Sequence, residues 1–252
     1  VLVHGDYDVD GISSAALMVR FLSKLGADVQ YYIPHRQHER YGLSTKALRQ
    51  AAKQGVTLVI SVDCGTADFE PITEARKLGM DVVVIHPHEP KHELPQATAV
   101  INPKRHHGQY PQRSLAAVGL TFKVASAVCH ELDIQQEYLQ RAFLDLVALG
   151  TVADVVPLVG ENRILAHHGL RVLAQTRKEG IRALLQLCDI DGEVASDDIA
   201  YRIAPRMNAV GRIGDATEVL ELLLETDPDR SIRMALVLEN TNAQRRQLQD
   251  RV

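Results

Sequence analysis

The sequence contains no tryptophan, and aromatic residues occupy only 4% of its 252 positions. An extensive platform for stacking nucleic-acid bases is therefore not expected. No apolar stretch is long enough to cross a bilayer, and no basic segment followed by an apolar one opens the chain. These absences argue against membrane and secretory roles, and we expect a cytoplasmic protein that does not contact a membrane.

Cysteine is also scarce. The three cysteines are scattered and odd in number, which argues against a disulfide framework and against a structural zinc site. The net charge is −4, so binding to nucleic acid would need a local basic patch. With 46% hydrophobic residues, the chain can form one large core or two modest ones.

The first half alternates between strand and helix patterns, which predicts an α/β fold with a wound, mostly parallel five-stranded sheet and flanking helices. The predicted strands are Val1–His4, Asp28–Pro34, Thr57–Asp63, Asp81–His86 and Thr98–Asn102. The helices between them are Ser13–Leu25, Ser44–Gln54 and Phe69–Leu78, each followed by a glycine suited to a left-handed helix end.

From Ser114 onward only helix patterns remain, which predicts an α-helical region and a final connector helix. The predicted helices are Leu115–Leu132, Gln136–Leu149, Arg163–Gln175, Ile181–Cys188, Ser196–Ile203, Ala216–Glu225 and Asp229 to the end. We expect a catalytic domain over 1–195, followed by a helical segment and connector over 196–252.

One histidine and three alternating aspartates end the first apolar run, at His4, Asp6, Asp8 and Asp10. Open α/β sheets build their sites at such strand ends. Carboxylates this close repel one another, and a divalent cation is the usual compensation, with oxygen and imidazole ligands together suiting Mn²⁺ or Mg²⁺. The competing interpretation is a solvated turn in which Asp10 or Ser13 caps the next helix.

Two further aspartates follow apolar stretches. Asp63 ends the third predicted strand, at the same sheet edge as Asp8 and Asp10. Asp154 follows residues 146–153, which are so apolar that a carboxylate without a ligand would be costly there. We interpret both as metal ligands, with helix capping as the alternative.

Three ordered blocks resemble the signature of the DHH phosphoesterase superfamily: His4-x-x-x-Asp8-x-Asp10-Gly11, Asp63-Cys64-Gly65 and Gly150-Thr151-Val152-Ala153-Asp154. Two more blocks, at 114–119 and 202–212, resemble its branch of single-strand-specific DNA exonucleases. The resemblance implies a hydrolase that trims single-stranded DNA from the 5′ end in repair and recombination. It also implies a second domain with a Gly-Gly-His block after Val252.

The resemblance further implies a two-ion Mn²⁺ or Mg²⁺ site. His4, Asp8 and Asp63 would hold one ion and Asp10, Asp63 and Asp154 the other, so that a water is activated and the leaving oxygen is stabilised. Asp6 is interpreted as an acceptor that orients His4 or a water.

The fourth predicted strand departs from the family pattern. Where the family has Asp-His-His, this chain has His86-Pro87-His88, so a histidine ligand becomes Pro87 while His88 keeps the phosphate-contact position. Proline has no metal-binding side chain, and it restricts residue 86 to extended backbone. Three interpretations stay open: His86 is a replacement ligand, the second ion is weakened, or the site is inactive. We favour a nuclease fold with reduced or lost activity.

Candidate contacts to a DNA backbone are Arg36, after the second predicted strand, and a cluster of Arg206, Asn208 and Arg212. Helix-capping hydrogen bonds and hydrogen bonds between helices explain that cluster equally well. The pairs His106-His107 and His167-His168 lack a preceding strand and an aspartate, and we interpret them as solvated histidines.

Two other functions stay open. Sister branches of the family imply short oligonucleotides or cyclic dinucleotides as substrates. A catalytically degenerate module that binds nucleic acid or protein is favoured by His86-Pro87-His88, and retention of the other candidate ligands argues against it.

Overall fold

The computed structural model describes residues 1–90, 93–106 and 108–249. The strands are β1 Leu2–His4, β2 Gln30–Tyr32, β3 Leu58–Val62, β4 Asp81–Ile85 and β5 Ala99–Ile101. The helices are α1 Val9–Lys24, α2 Thr45–Lys53, α3 Phe69–Lys77, α4 Ala117–Glu131, α5 Gln136–Ala153, α6 Gly160–Ala174, α7 Glu179–Leu187, α8 Ser196–Asp198, α9 Ala204–Ile213, α10 Thr217–Leu224 and α11 Pro228–Gln249. The predicted α/β class, with a helical second half, is confirmed.

The sheet has the strand order β2-β1-β3-β4-β5, and every neighbouring pair is parallel. After β2 the chain passes to the other side of β1, so the direction of winding reverses between β1 and β3. Such a reversal opens a crevice at the carboxyl ends of the two strands, where α/β folds bind ligands. The loops that leave β1 and β3 carry the candidate acidic residues.

Alternate residues along the strands bury opposite faces of the sheet, as the period of a β-strand requires. Val3, Ile60 and Ile85 belong to the larger core, which also holds buried residues of α1, α4 and α5. Val59 and Val82 belong to a smaller core with buried residues of α2 and α3. Helices therefore cover both faces, as expected of a parallel sheet.

The helical half packs onto this larger core. Its helices contact one another in the pairs α5 with α6, α7 with α11 and α9 with α11, and α1 also contacts α10. The core contains residues on both sides of position 195, including Leu184 and Leu220, and the domain boundary there stays a prediction. Among the described helices, none is long and apolar enough to span a membrane.

Helix α1 begins earlier than predicted, at Val9 instead of Ser13. Its N-cap is Asp8, whose Oδ1 accepts the backbone N–H of Gly11 at 2.9 Å. The alternative in which Asp10 or Ser13 caps this helix is therefore wrong, because the cap is Asp8. Asp10 lies instead in the first turn, where a negative charge is favoured by the helix dipole.

The predicted glycine helix ends are confirmed after α1 and α2. Gly26 and Gly55 have φ angles of 84° and 82°, in the left-handed region that a side chain would strain.

The helix predicted over Ser196–Ile203 continues further than expected. Helix α8 is followed by a π-helical turn at Ile199–Ile203, which leads directly into α9. Pro205 does not interrupt this path because it lies in the first turn of α9, where a missing N–H costs little. The block at 202–212 is thus mainly helical.

Candidate metal centre

Three carboxylates meet in the crevice between β1 and β3. Asp6, Asp8 and Asp63 each offer an oxygen within 4.8 Å of the others. Asp63 has a φ of 62°, an uncommon value for a residue with a side chain, and its N–H donates to the carbonyl of Ile85 at 2.9 Å. This strained turn at the end of β3 therefore has a positional role, because it directs the Asp63 carboxylate toward the β1 loop.

These carboxylates are poorly compensated by the protein itself. Burial, followed by the charge of Asp8, raises the pKa of Asp6 to about 7. Burial, followed by the charges of Asp10 and Asp8, holds the pKa of Asp63 well above its usual range. Oδ1 of Asp6 and Oδ1 of Asp63 are buried and have no hydrogen-bond partner among the described residues. Buried unpaired oxygens are costly, and an oxygen-preferring divalent cation would satisfy them, so these residues fit Mn²⁺ or Mg²⁺.

Asp63 also belongs to a second cluster, with His86 and His88. His86 Nε2 lies 2.9 Å from His88 Nδ1, and His88 Nδ1 lies 3.7 Å from Asp63 Oδ1. The two rings are nearly perpendicular, with centroids 4.9 Å apart. The structure thus brings both histidines of the altered block to the same carboxylate.

The surroundings of His86 fix its ring. Its Nδ1 lies 2.6 Å from Thr66 Oγ1, and Tyr41 Oη lies 3.3 Å from its Nε2. Tyr41 Oη also donates to the carbonyl of Asp63 at 2.9 Å. Burial, with the nearby His88 and Lys104, lowers the pKa of His86 to about 3, so the imidazole is neutral, as a metal ligand must be.

His4 lies outside both clusters. It is fully buried, its Nε2 accepts the N–H of Ser44 at 3.1 Å, and its Nδ1 lies 3.8 Å from Cys64 Sγ. Burial lowers the pKa of His4 to about 4. Both ring nitrogens therefore have protein neighbours, and the metal role of His4 stays a prediction.

Asp10 and Asp154 border the carboxylate cluster. Asp10 is buried, and its two oxygens accept the N–H groups of Ala117 at 2.6 Å and Val118 at 2.9 Å, at the start of α4. Asp154 is the C-cap of α5, and burial together with the charge of Asp8 raises its pKa to about 6. Burial, followed by the charges of Asp154 and Asp8, raises the pKa of Asp10 well above its usual value. The charge of Asp8 therefore adds to burial in raising the pKa values of Asp10 and Asp154, although these two residues belong to neither of the two clusters.

A cavity of about 460 Å³ opens beside the carboxylates. Its lining includes five of the predicted site residues, Asp8, Arg36, His88, Asn208 and Arg212, together with Asp6, Tyr7, Tyr41 and Gly211. The Arg36 guanidinium lies 5.1 Å from the centre of the Tyr7 ring, a distance that permits a cation–π contact. Acidic and basic groups therefore face one space, as a site for a metal and a phosphate requires.

Arg206 does not line this cavity. Its Nε donates to Glu239, and its Nη1 donates to the carbonyl of Arg202 at 2.6 Å. The bond to Glu239 joins α9 to α11, as in the interpretation that Arg206 makes hydrogen bonds between helices, while Asn208 and Arg212 line the cavity.

Three residues at the centre were not among the ligands expected from the sequence. Asp6 belongs to the carboxylate cluster, as its two-residue spacing from Asp8 allows, and its predicted role in orienting His4 or a water stays a prediction. Tyr41 and Thr66 contact His86 across 45 and 20 positions of sequence, and no local pattern indicates such contacts.

The paired histidines elsewhere differ from this centre. His167 and His168 are exposed on α6 with ring centroids 5.2 Å apart, in agreement with solvated side chains. Of the other pair, His107 lies outside the described residues.

The model of the DHH family, N-terminal domain, matches residues 1–151. The chain therefore belongs to the DHH family. Its sequence is 39% identical over 249 residues to the single-stranded-DNA-specific exonuclease RecJ of Bacillus subtilis, covering 98% of this chain and 31% of that protein. It is 37% identical over 260 residues to RecJ of Escherichia coli, covering 99% of this chain and 45% of that protein.

Solved structures agree with these relationships. A crystal structure of exonuclease RecJ bound to manganese matches with a TM-score of 0.89 and 33% identity, covering 99% of this chain and 62% of that one. RecJ from Thermus thermophilus in complex with Mn²⁺ matches with a TM-score of 0.87 and 31% identity, covering 99% of this chain and 36% of that one. This chain thus corresponds to the core of RecJ and spans less than half the length of the curated relatives named here.

Proposed function

We propose that this chain is the catalytic core of a metal-dependent exonuclease that hydrolyses single-stranded DNA. The observation that carries the proposal is the cluster of Asp6, Asp8 and Asp63, because two of its members, Asp6 and Asp8, line one cavity together with His88 and Arg212. The relatives named as single-stranded-DNA-specific exonucleases, and the RecJ structures that hold Mn²⁺ or Mg²⁺, support the choice of substrate and ion.

Divalent ions at these carboxylates would supply an activated water and neutralise charge on the phosphoryl oxygens. We assign Asp8 and Asp63 to hold them, with Asp6 as an additional ligand and with Asp10, Asp154 and His4 as the further ligands implied by family membership. The two unpartnered oxygens of Asp6 and Asp63 are the strongest support for this assignment.

The remaining groups bind and orient DNA. Arg36 and Arg212 present fixed positive charges to the cavity, where guanidinium groups suit two-point contacts to phosphate. His88 and Asn208 add neutral polar contacts at the same wall. None of these residues is arranged to read a base, so binding energy should come chiefly from phosphate and fall with salt.

His86 takes the place of a lost ligand in this proposal. Pro87 offers no donor, while His86 directs Nε2 toward His88 and Asp63. In this arrangement the ligand nitrogen comes from residue 86 instead of residue 87. We therefore expect slower DNA cleavage than by a chain with Asp-His-His, because displacing a catalytic group by about 1 Å lowers the reaction rate.

The test is release of mononucleotides from a 5′-labelled single-stranded oligonucleotide with Mn²⁺. The chain is compared with the double variant His86→Asp, Pro87→His, and duplex DNA of the same sequence is the control substrate. Faster release by the double variant, specific to single strands and lost on Asp63→Asn, is the expected result. No release by either protein, at a concentration where both bind the oligonucleotide, would overturn the proposal.

A second candidate is a binding module without chemistry, favoured by Pro87 at a ligand position. It predicts that single-stranded DNA binds equally well with Mn²⁺ and with chelator, and that no nucleotide is released by the chain or the double variant. Turnover confined to dinucleotides or cyclic dinucleotides would instead favour the sister branches of the family.

We further propose a 5′-to-3′ direction of cleavage, a role in DNA repair and recombination, and a cytoplasmic location. We also propose that 1–195 forms the catalytic domain and that 196–252 leads to a second domain, because the relatives extend well beyond the matched part. A 5′-phosphorothioate block tests the direction, since it should protect the substrate whereas a 3′ block should not.

A further inference from the structure

His86 and His88 are two residues apart in the segment that follows β4, and their ring nitrogens Nε2 and Nδ1 lie 2.9 Å apart. Side chains at i and i+2 of extended chain lie on the same side. Pro87 favours this geometry because it fixes its own φ and restricts residue 86 to extended backbone. The two imidazoles of His-Pro-His can therefore bind one ion together, and a carboxylate oxygen of Asp63 lies within 4.8 Å of both.

The distances suit a single ion. His86 Nε2 and His88 Nδ1 are 2.9 Å apart, His88 Nδ1 and Asp63 Oδ1 are 3.7 Å apart, and all three ligand atoms lie within 4.8 Å. Three ligands at about 2.0–2.1 Å from a metal lie about 2.9–3.4 Å from one another in octahedral or tetrahedral geometry. Small ring rotations are enough to close the difference, and the half-exposed ring of His88 is free to make them.

Two observations point to a cation in this space. Asp63 is only 1% exposed, and its buried Oδ1 has no hydrogen-bond partner in the part of the chain that the structure describes. Thr66 holds His86 Nδ1 through two contacts, its Oγ1 at 2.6 Å and its backbone N–H at 3.3 Å, so Nε2 is the ring nitrogen that faces His88. The ring orientation that a ligand requires is thus held by a contact outside the cluster.

Donor chemistry separates this cluster from the neighbouring carboxylates. Asp6, Asp8 and Asp63 offer oxygen alone, which Mg²⁺ and Mn²⁺ accept. Two imidazoles and one carboxylate suit Zn²⁺, Co²⁺ and Ni²⁺, which bind nitrogen more strongly than Mn²⁺ does. We propose that His86, His88 and Asp63 bind an ion of the Zn²⁺ class more tightly than they bind Mn²⁺ or Mg²⁺. The proposal rests on the metal centre of the proposed function, but not on its nuclease activity.

The test measures binding of Zn²⁺ alone to chelator-stripped protein, in competition with a chromogenic chelator, and binding of Mn²⁺ by calorimetry. We expect one Zn²⁺ per chain with a Kd at least about 100-fold below that of Mn²⁺ at this cluster. His88→Ala should weaken Zn²⁺ at least about tenfold, since even groups outside the ligand shell change affinity that much. The visible spectrum of bound Co²⁺ should change in the same variant.

His168→Ala is the matched control, because it removes an exposed histidine that also has a histidine neighbour. If His88→Ala and His168→Ala weaken Zn²⁺ binding equally, the ion binds to surface histidines and the proposal is overturned. A Zn²⁺ affinity within about tenfold of the Mn²⁺ affinity would also overturn it, since the donor set predicts a larger gap. The double variant His86→Asp, Pro87→His should shift the preference back toward Mn²⁺. Since no DNA is present, failure here leaves the nuclease assay to decide the proposed function separately.

Discussion

Replacing Asp6 by asparagine should stabilise the metal-free protein while weakening its metal centre. Asp6 is 5% exposed, its Oδ1 has no partner among residues 1–90, 93–106 and 108–249, and burial raises its pKa from 3.8 to about 7. A carboxyl group whose pKa is higher in the folded protein than in the unfolded chain does not destabilise the fold at low pH, because it is neutral in both states. As pH rises from the unfolded-state pKa to the folded-state pKa, the group lowers the free energy of unfolding by a growing amount. Above the folded-state pKa this loss stays constant.

The magnitude follows from this shift of about three units, each equivalent to about 1.36 kcal/mol. The ionisation penalty is about 1 kcal/mol near pH 4.5 and about 4 kcal/mol at pH 8. An asparagine side chain has nearly the same shape as the aspartate and no charge. The free energy of unfolding of Asp6→Asn should therefore exceed that of the parent by a difference with this pH dependence.

Urea unfolding with chelator, at pH values from 4.5 to 8, measures that difference. Asp191→Asn is the control, since Asp191 is exposed and away from the centre. With excess Mn²⁺ the parent should become more stable than Asp6→Asn. A ligand that binds only the folded state stabilises it, and the parent holds the ion with one more carboxylate. A difference below about 1 kcal/mol at every pH would refute the reasoning, since it would mean that Asp6 ionises at no cost.

Three further predictions concern packing and DNA binding. Lys178→Met should lower the free energy of unfolding by about 3–5 kcal/mol, because Lys178 Nζ lies 2.8 Å from both oxygens of the buried Asp145, which would lose this ion pair and keep only its hydrogen bonds from Thr176 and Leu146. Gly180→Ala should destabilise by more than about 2 kcal/mol in the same urea assay, because its Cβ would lie 1.8 Å from the carbonyl oxygen of Leu222. Arg212→Ala should weaken binding of single-stranded oligonucleotides of any sequence and reduce the slope of log K against log salt by about 0.7, as measured by fluorescence anisotropy.

Each of these predictions has a matched control. Adding Asp145→Leu to Lys178→Met should recover much of the stability, and no recovery would contradict the buried-pair argument. Gly119→Ala, in α4, places its Cβ at an ordinary 3.5 Å from its neighbours and should be neutral or stabilising. Arg171→Ala removes an exposed arginine on α6, and an effect on DNA equal to that of Arg212→Ala would place binding outside the cleft.

The fold and the sheet edge of the site could be predicted because both depend on local patterns. Apolar runs that end in aspartate placed Asp8 and Asp63 at neighbouring strand ends, and parallel pairing of β1 with β3 then brings them together. The orientation of His4 could not be predicted, because it depends on the backbone N–H of Ser44, 40 positions away. The position of Arg206 likewise depends on how α11 packs against α9, through Glu239.

One of the blocks that resemble the family, residues 114–119, contains no titratable side chain. Residues 114–119 are mostly small and apolar, yet the first N–H groups of α4, at Ala117 and Val118, donate to both oxygens of Asp10. These N–H groups have no partner within their own helix, so a buried carboxylate satisfies them and interacts favourably with the helix dipole. Each carboxylate oxygen keeps a further lone pair, so this contact does not prevent Asp10 from binding a cation. The backbone of an apolar block therefore fixes Asp10 beside the metal centre, which explains how a stretch without reactive side chains belongs to the site.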